Sequence, residues 1–155
     1  MKKFLKIIFM MSVGVIFLPI GIWLNNQLVA NPYTMPPYAL VNLVCLVLWI
    51  NLSFLLKNEK TGTGTIILSM NLVPVIVFIL NIYRHFVLRS YEGTLGLYIQ
   101  LYFTPIMWIK LPSFGILRGK GLLPMCFSAV LTLILCSFIG CKAKNVFADL
   151  KDSLG

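Results

Sequence analysis

The chain has 155 residues, 59% of them hydrophobic and 11% charged, with a formal net charge of +9. A soluble domain carries roughly a quarter charged residues and could not hide this much apolar surface, so a water-soluble fold is excluded. The excess of base would suggest nucleic acid in a soluble protein, but here lysine and arginine flank long uncharged runs, where they orient membrane helices and meet anionic headgroups; nucleic acid is not an expected partner.

Residues 7–30, 38–56, 61–83 and 121–141 contain no charged side chain. Each compares with the roughly 20 residues a helix needs to cross a bilayer. The expected fold is therefore an all-α, polytopic integral membrane protein. It forms a single domain of four transmembrane helices, plus a fifth apolar segment at 93–109 that is either re-entrant or a short fifth span.

The first run follows the basic start "MKKFLK". Its apolar stretch is longer than a signal-peptide core, and Leu28 is bulky where cleavage needs a small residue, so the segment is expected to be retained. Lys2, Lys3 and Lys6 then place the amino terminus in the cytoplasm. Gly14 and Gly21 fall on nearly one helical face and form a groove for close approach, open to an internal neighbour or to another protein. Pro19 interrupts the backbone ladder.

The loop "NPYTMPPY" is stiffened by Pro32, Pro36 and Pro37 and is expected outside. In the second run Asn42 and Asn51, nine residues apart, lie on opposite helical faces at roughly 100° per residue, which suggests partners on both. "KNEKTGTGT" returns the chain inside. The third run carries Asn71, Pro74 and Asn81, and asparagine within hydrocarbon usually bonds to a neighbouring helix.

The third run ends at "YRHFVLRSYEG", residues 83–93, which contains the only histidine. Aromatic and basic residues at this depth are ordinary interfacial anchors. On a regular helix Arg84, Leu88 and Tyr91 would share one side, and His85, Arg89 and Glu92 another. His85 with Glu92 is the one pair suited to acid/base work, although no nucleophile or metal set accompanies it. Arg84, Arg89, Trp108, Lys110, Arg118 and Lys120, interleaved with tyrosines, would suit a phosphate-bearing lipid or an acidic partner.

Segment 93–109 is uncharged for 17 residues, at the lower limit of a span. Gln100, Thr104 and Pro105 weaken its middle, and Pro105 removes a backbone donor that lipid cannot replace. Charge does not choose between topologies, because Lys110, Arg118 and Lys120 simply exchange sides with Lys142, Lys144 and Lys151. The partly inserted form is favoured, leaving 84–120 as an external segment. "GILRGKG" is not a phosphate loop, since its glycine spacing is short and Gly121 stands where Ser or Thr is required.

Cys45, Cys126, Cys136 and Cys141 lack zinc or redox spacing and read as small hydrophobes; Cys141 beside Lys142 is also placed for acylation. The tail 142–155 groups Val146, Phe147 and Leu150, as in an amphipathic continuation of the last helix along the membrane. No acidic residue, base or histidine lies within the four runs, which argues against a self-sufficient ion-coupled carrier. No cofactor and no metal are expected.

The functional expectation is a non-enzymatic bacterial inner-membrane protein, either an accessory subunit of a membrane complex or a protective, immunity-type protein. It would act through the basic aromatic external segment. Its expected partners are anionic membrane lipids and another membrane protein or further copies of itself. The alternatives are a small enzyme or binder acting on an anionic lipid headgroup, and an oligomeric channel or carrier.

Overall fold

A computed structural model describes residues 2–31, 33, 37–58, 61–88, 94–106 and 122–154. These contain helices and no strand: α1 (Lys2–Val13), a 3-10 turn (Gly14–Ile16), α2 (Phe17–Ala30), α3 (Tyr38–Leu56), α4 (Thr63–Tyr83), a π-helical turn (Arg84–Leu88), α5 (Thr94–Phe103) and α6 (Leu122–Leu154). Four segments are long and apolar enough to span a membrane: Phe4–Ala30, Tyr38–Leu56, Thr63–Leu88 and Leu123–Leu150. The protein is a multi-pass membrane helical bundle.

Contacts along the helices fix their directions. Lys6 on α1 donates to the Leu56 carbonyl at 2.7 Å and to Thr61 Oγ1 at 3.1 Å. The start of α1, the end of α3 and the approach to α4 therefore share one end of the bundle, here the amino-terminal end. Along α6, Phe127 packs on Phe78 at 5.8 Å between ring centroids, Ser137 meets Trp49 and Asn71, and Cys141 faces the Ser53 carbonyl. α6 thus runs parallel to α3 and antiparallel to α4, starting at the far end. Since α4 finishes at that same far end, the chain between them makes no net crossing.

α5 lies between these two helices in sequence and has 10 residues. At 1.5 Å per residue it is about 15 Å long, half of the hydrocarbon thickness. Leu101 packs on Gly21, while Tyr102 reaches back to Gly14 and stacks edge-on to Phe17 at 5.9 Å. Rising numbers on α5 meet falling numbers on the first span, so α5 descends from the far end to mid-bundle. Residues 104–106 then turn against α3, where Asn42 Nδ2 donates to the Pro105 carbonyl at 2.9 Å. The short segment is re-entrant.

Prolines and glycines explain why α5 seats here. In a regular helix the Leu101 carbonyl would accept from residue 105, and the Met70 carbonyl from residue 74; both donors are prolines and carry no N–H. Such carbonyls cannot face lipid unpaired at low cost. The Leu101 carbonyl lies directly on Gly21, where any Cβ would collide with it. The Met70 carbonyl faces Gly14, 3.5 Å from where a Cβ would stand, with Val73 Cβ at 3.0 Å. Close Cα–H contacts of this kind give a freed carbonyl partial compensation. Pro19 disturbs the turn before it, and within the resulting 3-10 stretch the Gly14 carbonyl accepts the Tyr102 hydroxyl at 2.7 Å. The glycine groove is thus filled from inside the chain, by α4 and α5, which leaves no place in it for another protein.

Below α5 the core is built on Phe17, Trp49, Tyr102 and Phe103, with Phe17 and Trp49 centroids 5.0 Å apart. At Gly140 a Cβ would meet the Ile50 carbonyl, which lets α6 approach α3 closely. The outward faces carry exposed Leu40, Leu43, Val47, Leu48 and Leu135, as a lipid-facing surface requires. α6 continues unbroken for 33 residues, about 50 Å. The tail is therefore one piece with the last span, and Phe147 still touches Phe54 at 6.3 Å.

Replacing Gly21 with valine should unseat α5, at a cost of about 1 to 3 kcal/mol for overpacking a close contact. A thermal melt in detergent should show the variant melting below wild type, while Gly64→Ala, which meets nothing within 4 Å, leaves the midpoint unchanged.

Candidate functional site at the far end of the bundle

The third span does not finish at residue 83. It continues through the π-helical turn Arg84–Leu88, so Arg84 belongs to the spanning helix, whereas the sequence places it among interfacial anchors. A π turn takes in an extra residue and rotates the residues beyond it, and such turns are common at functional positions. Arg84, at the start of the turn, is still α-helical; only 6% exposed, it shares the inward side of α4 with Val77 and Asn81. The effect of the turn falls beyond it, where Leu88, which a regular helix would put on that same side, faces outward with Phe86 and Val87. The α-helical spacing that would align His85 with Arg89 and Glu92 is broken at its first turn. His85 is half-buried with its ring 4.8 Å from that of Phe86.

Three residues converge at this end. Asn81 is 1% exposed and lies one turn before Arg84 on α4. Cys126, in the second turn of α6, sits beside Asn81 and within the field of the Arg84 guanidinium. Asn81 Nδ2 and Arg84 Nε are both buried and neither has a hydrogen-bond partner. Among the described residues no carboxylate stands at this end. The chain's acids are Glu59, Glu92, Asp149 and Asp152; the two aspartates belong to the last turns of α6, and Glu59 and Glu92 lie outside the described residues. Two unsatisfied donors, one of them charged, are a costly arrangement in a buried setting, and they call for an anionic acceptor.

The remaining asparagines do different work. Asn71 Nδ2 donates to Ser137 Oγ at 2.9 Å and to the Ile67 carbonyl at 2.8 Å, and Trp49 Nε1 donates to the same hydroxyl at 3.0 Å. Ser137 in turn donates to the Leu133 carbonyl. This network ties α3, α4 and α6 together at mid-bundle. Asn42 holds the turn after α5. Asn51 is exposed and bonds back to Val47 of its own helix, so within this bundle α3 has a polar partner on one face and not both. These side chains pack helices; among the described residues they do not line a path.

Arg89, Glu92, Trp108, Lys110, Arg118 and Lys120 lie outside the described residues. All four cysteines are free and buried. Cys141 is fully buried against α3, which removes it as an acylation site. Among the described residues no group of histidine, cysteine and acid is arranged to hold a metal. The sequence alone gives Asn81 a packing role and does not connect Cys126 with Arg84; the signal that could have placed Arg84 inward is its spacing of three from Asn81 and seven from Val77.

Comparison with known proteins adds no relative: no family model, no curated protein and no solved structure matches this chain.

Ser137 accepts from two buried donors, so Ser137→Ala would strand both Trp49 Nε1 and one Asn71 bond. The expected loss is about 1 to 3 kcal/mol, read as a lower unfolding midpoint in detergent, whereas Ser128→Ala, whose hydroxyl only bonds within its own helix, should leave the midpoint near that of wild type.

Proposed function

We propose that this chain is a non-enzymatic bacterial inner-membrane protein, amino terminus in the cytoplasm, that acts through other membrane components. It serves as an accessory subunit of a membrane complex or as a protective, immunity-type protein, and its contact surface is the far, external end of the bundle. The observation carrying this reading is an asymmetry between the ends. At the amino-terminal end Lys6 is bound to Leu56 and Thr61, Lys57 to the Thr61 carbonyl, and Lys144 rests over the Phe54 ring at 4.7 Å. At the far end Arg84 keeps an unpaired donor. Electrostatic demand left unmet within the fold is what a partner can meet.

An enzyme built on His85 and Glu92 gains no support from the broken helical spacing at residues 84–88. A channel lined by asparagines gains none from their packing bonds.

The test is native mass spectrometry of the tagged chain extracted gently from host membranes, wild type beside a variant with Arg84, Arg89, Arg118 and Lys120 all changed to glutamine. A contact surface at the far end predicts a reproducible membrane-protein partner on wild type that is lost from the variant while helix content is kept. Identical partner profiles for the two proteins would remove the far end as the contact surface.

A further inference from the structure

Arg84 and Asn81 are each more than nine-tenths buried, stand one helical turn apart, and each presents a donor with no acceptor. The Cys126 thiol, at most a weak acceptor, lies beside Asn81 and near Arg84, so the donors share one site between the end of α4 and the first turns of α6. The amino terminus of that 33-residue helix adds its own positive partial charge at the same place. Among the described residues these contributions to the local field have the same sign. From these donors we propose that the site holds the phosphate of an anionic membrane lipid, its oxygens accepting from Arg84 Nε and Asn81 Nδ2.

The depth and surroundings favour a lipid as the source of that phosphate. Arg84 lies near the end of a span, where a lipid headgroup can come within reach of it. A lipid phosphate arrives there carried by acyl chains already held in the bilayer, which gives it an affinity that free phosphate lacks. A guanidinium is well matched to phosphate oxygens, and a charge-assisted bond in a dry setting is among the stronger single polar contacts. The inference rests on the reading of the far end as the contact surface, and names a ligand class for it.

The competing source of negative charge is the chain's own Glu92, and the experiment separates the two. Purified protein in detergent, stripped of lipid, is titrated with phosphatidylglycerol and with phosphatidylcholine and read by native mass spectrometry, in the presence of excess inorganic phosphate. Wild type should retain one phosphatidylglycerol in preference to phosphatidylcholine, undisturbed by the phosphate. Arg84→Gln should weaken retention roughly tenfold or more, as expected for a lost charged hydrogen bond. Lys144→Gln, at the opposite end, should not.

Asn81→Asp provides a second arm, since it supplies a carboxylate to Arg84 from the chain itself. It should expel the lipid and raise the melting temperature. Equal lipid retention in wild type, Arg84→Gln and Asn81→Asp would overturn the proposal. So would lipid binding that arises only in Glu92→Gln, which would assign the neutralising role to that carboxylate, or loss of the lipid to inorganic phosphate. Because this assay uses the isolated chain, its failure would leave the partner reading standing, and loss of the partner result would leave the lipid site standing.

Discussion

A backbone carbonyl deprived of its helical donor cannot be left facing hydrocarbon, and that constraint shapes this bundle. Pro74 and Pro105 each deprive the carbonyl four residues earlier, Met70 and Leu101; the Leu101 carbonyl is pressed onto Gly21, and the Met70 carbonyl lies in ordinary contact with Gly14, against which Val73 packs. Pro19 adds a third perturbation, and the Gly14 carbonyl beside it takes the Tyr102 hydroxyl. The first span is thereby the template on which α4 and α5 seat. With a larger residue at Gly21, α5 would have neither room to approach nor a way to cover its Leu101 carbonyl, and a 10-residue helix has no independent hold in a membrane.

Seating α5 at mid-depth has consequences for both ends. Its Tyr102 and Phe103 complete the aromatic core with Phe17 and Trp49, so the middle of the bundle is filled. Its turn is tied to α3 by Asn42. The chain leaves α4 and re-enters as α6 at one end, and there the polar demand of Asn81 and Arg84 is unmet. The amino-terminal end is different, because its described lysines find carbonyls, hydroxyls and rings within the fold. Among the described residues, charge at one end is taken up within the structure, and at the other Arg84 Nε has no acceptor.

The four spans were legible in the sequence because length and absence of charge are sufficient for that decision, and the uncharged runs match the helices to within a few residues at most ends. The last end differs: α6 runs through the tail without a break, since nothing between Cys141 and Leu154 stops a helix. Whether segment 93–109 crosses was not decidable from composition, because 17 uncharged residues sit at the threshold. The deciding feature is tertiary, the fit of Leu101 to Gly21, although both the glycine pair and the burden of Pro105 were visible. Asn42 and Asn51 lie on opposite faces as their spacing requires, yet only Asn42 is bound across helices. The inward side of Arg84 lay in its spacing of three from Asn81 and seven from Val77, whereas the outward position of Leu88 was not visible, because a π turn has no hydrophobic period of its own; the register that brings Cys126 beside Asn81 is set by the packing of α6.

The seating of α5 is most directly tested by hydrogen–deuterium exchange of the wild-type protein in lipid nanodiscs, monitored over residues 94–106. A docked α5 predicts amides protected to an extent comparable with those in the middle of α3, since both are buried in the same core. Exchange in this segment as fast as in an exposed loop would mean that α5 is not docked on Gly14 and Gly21, and the constraint placed at the centre of this structure would not be the one that organises it.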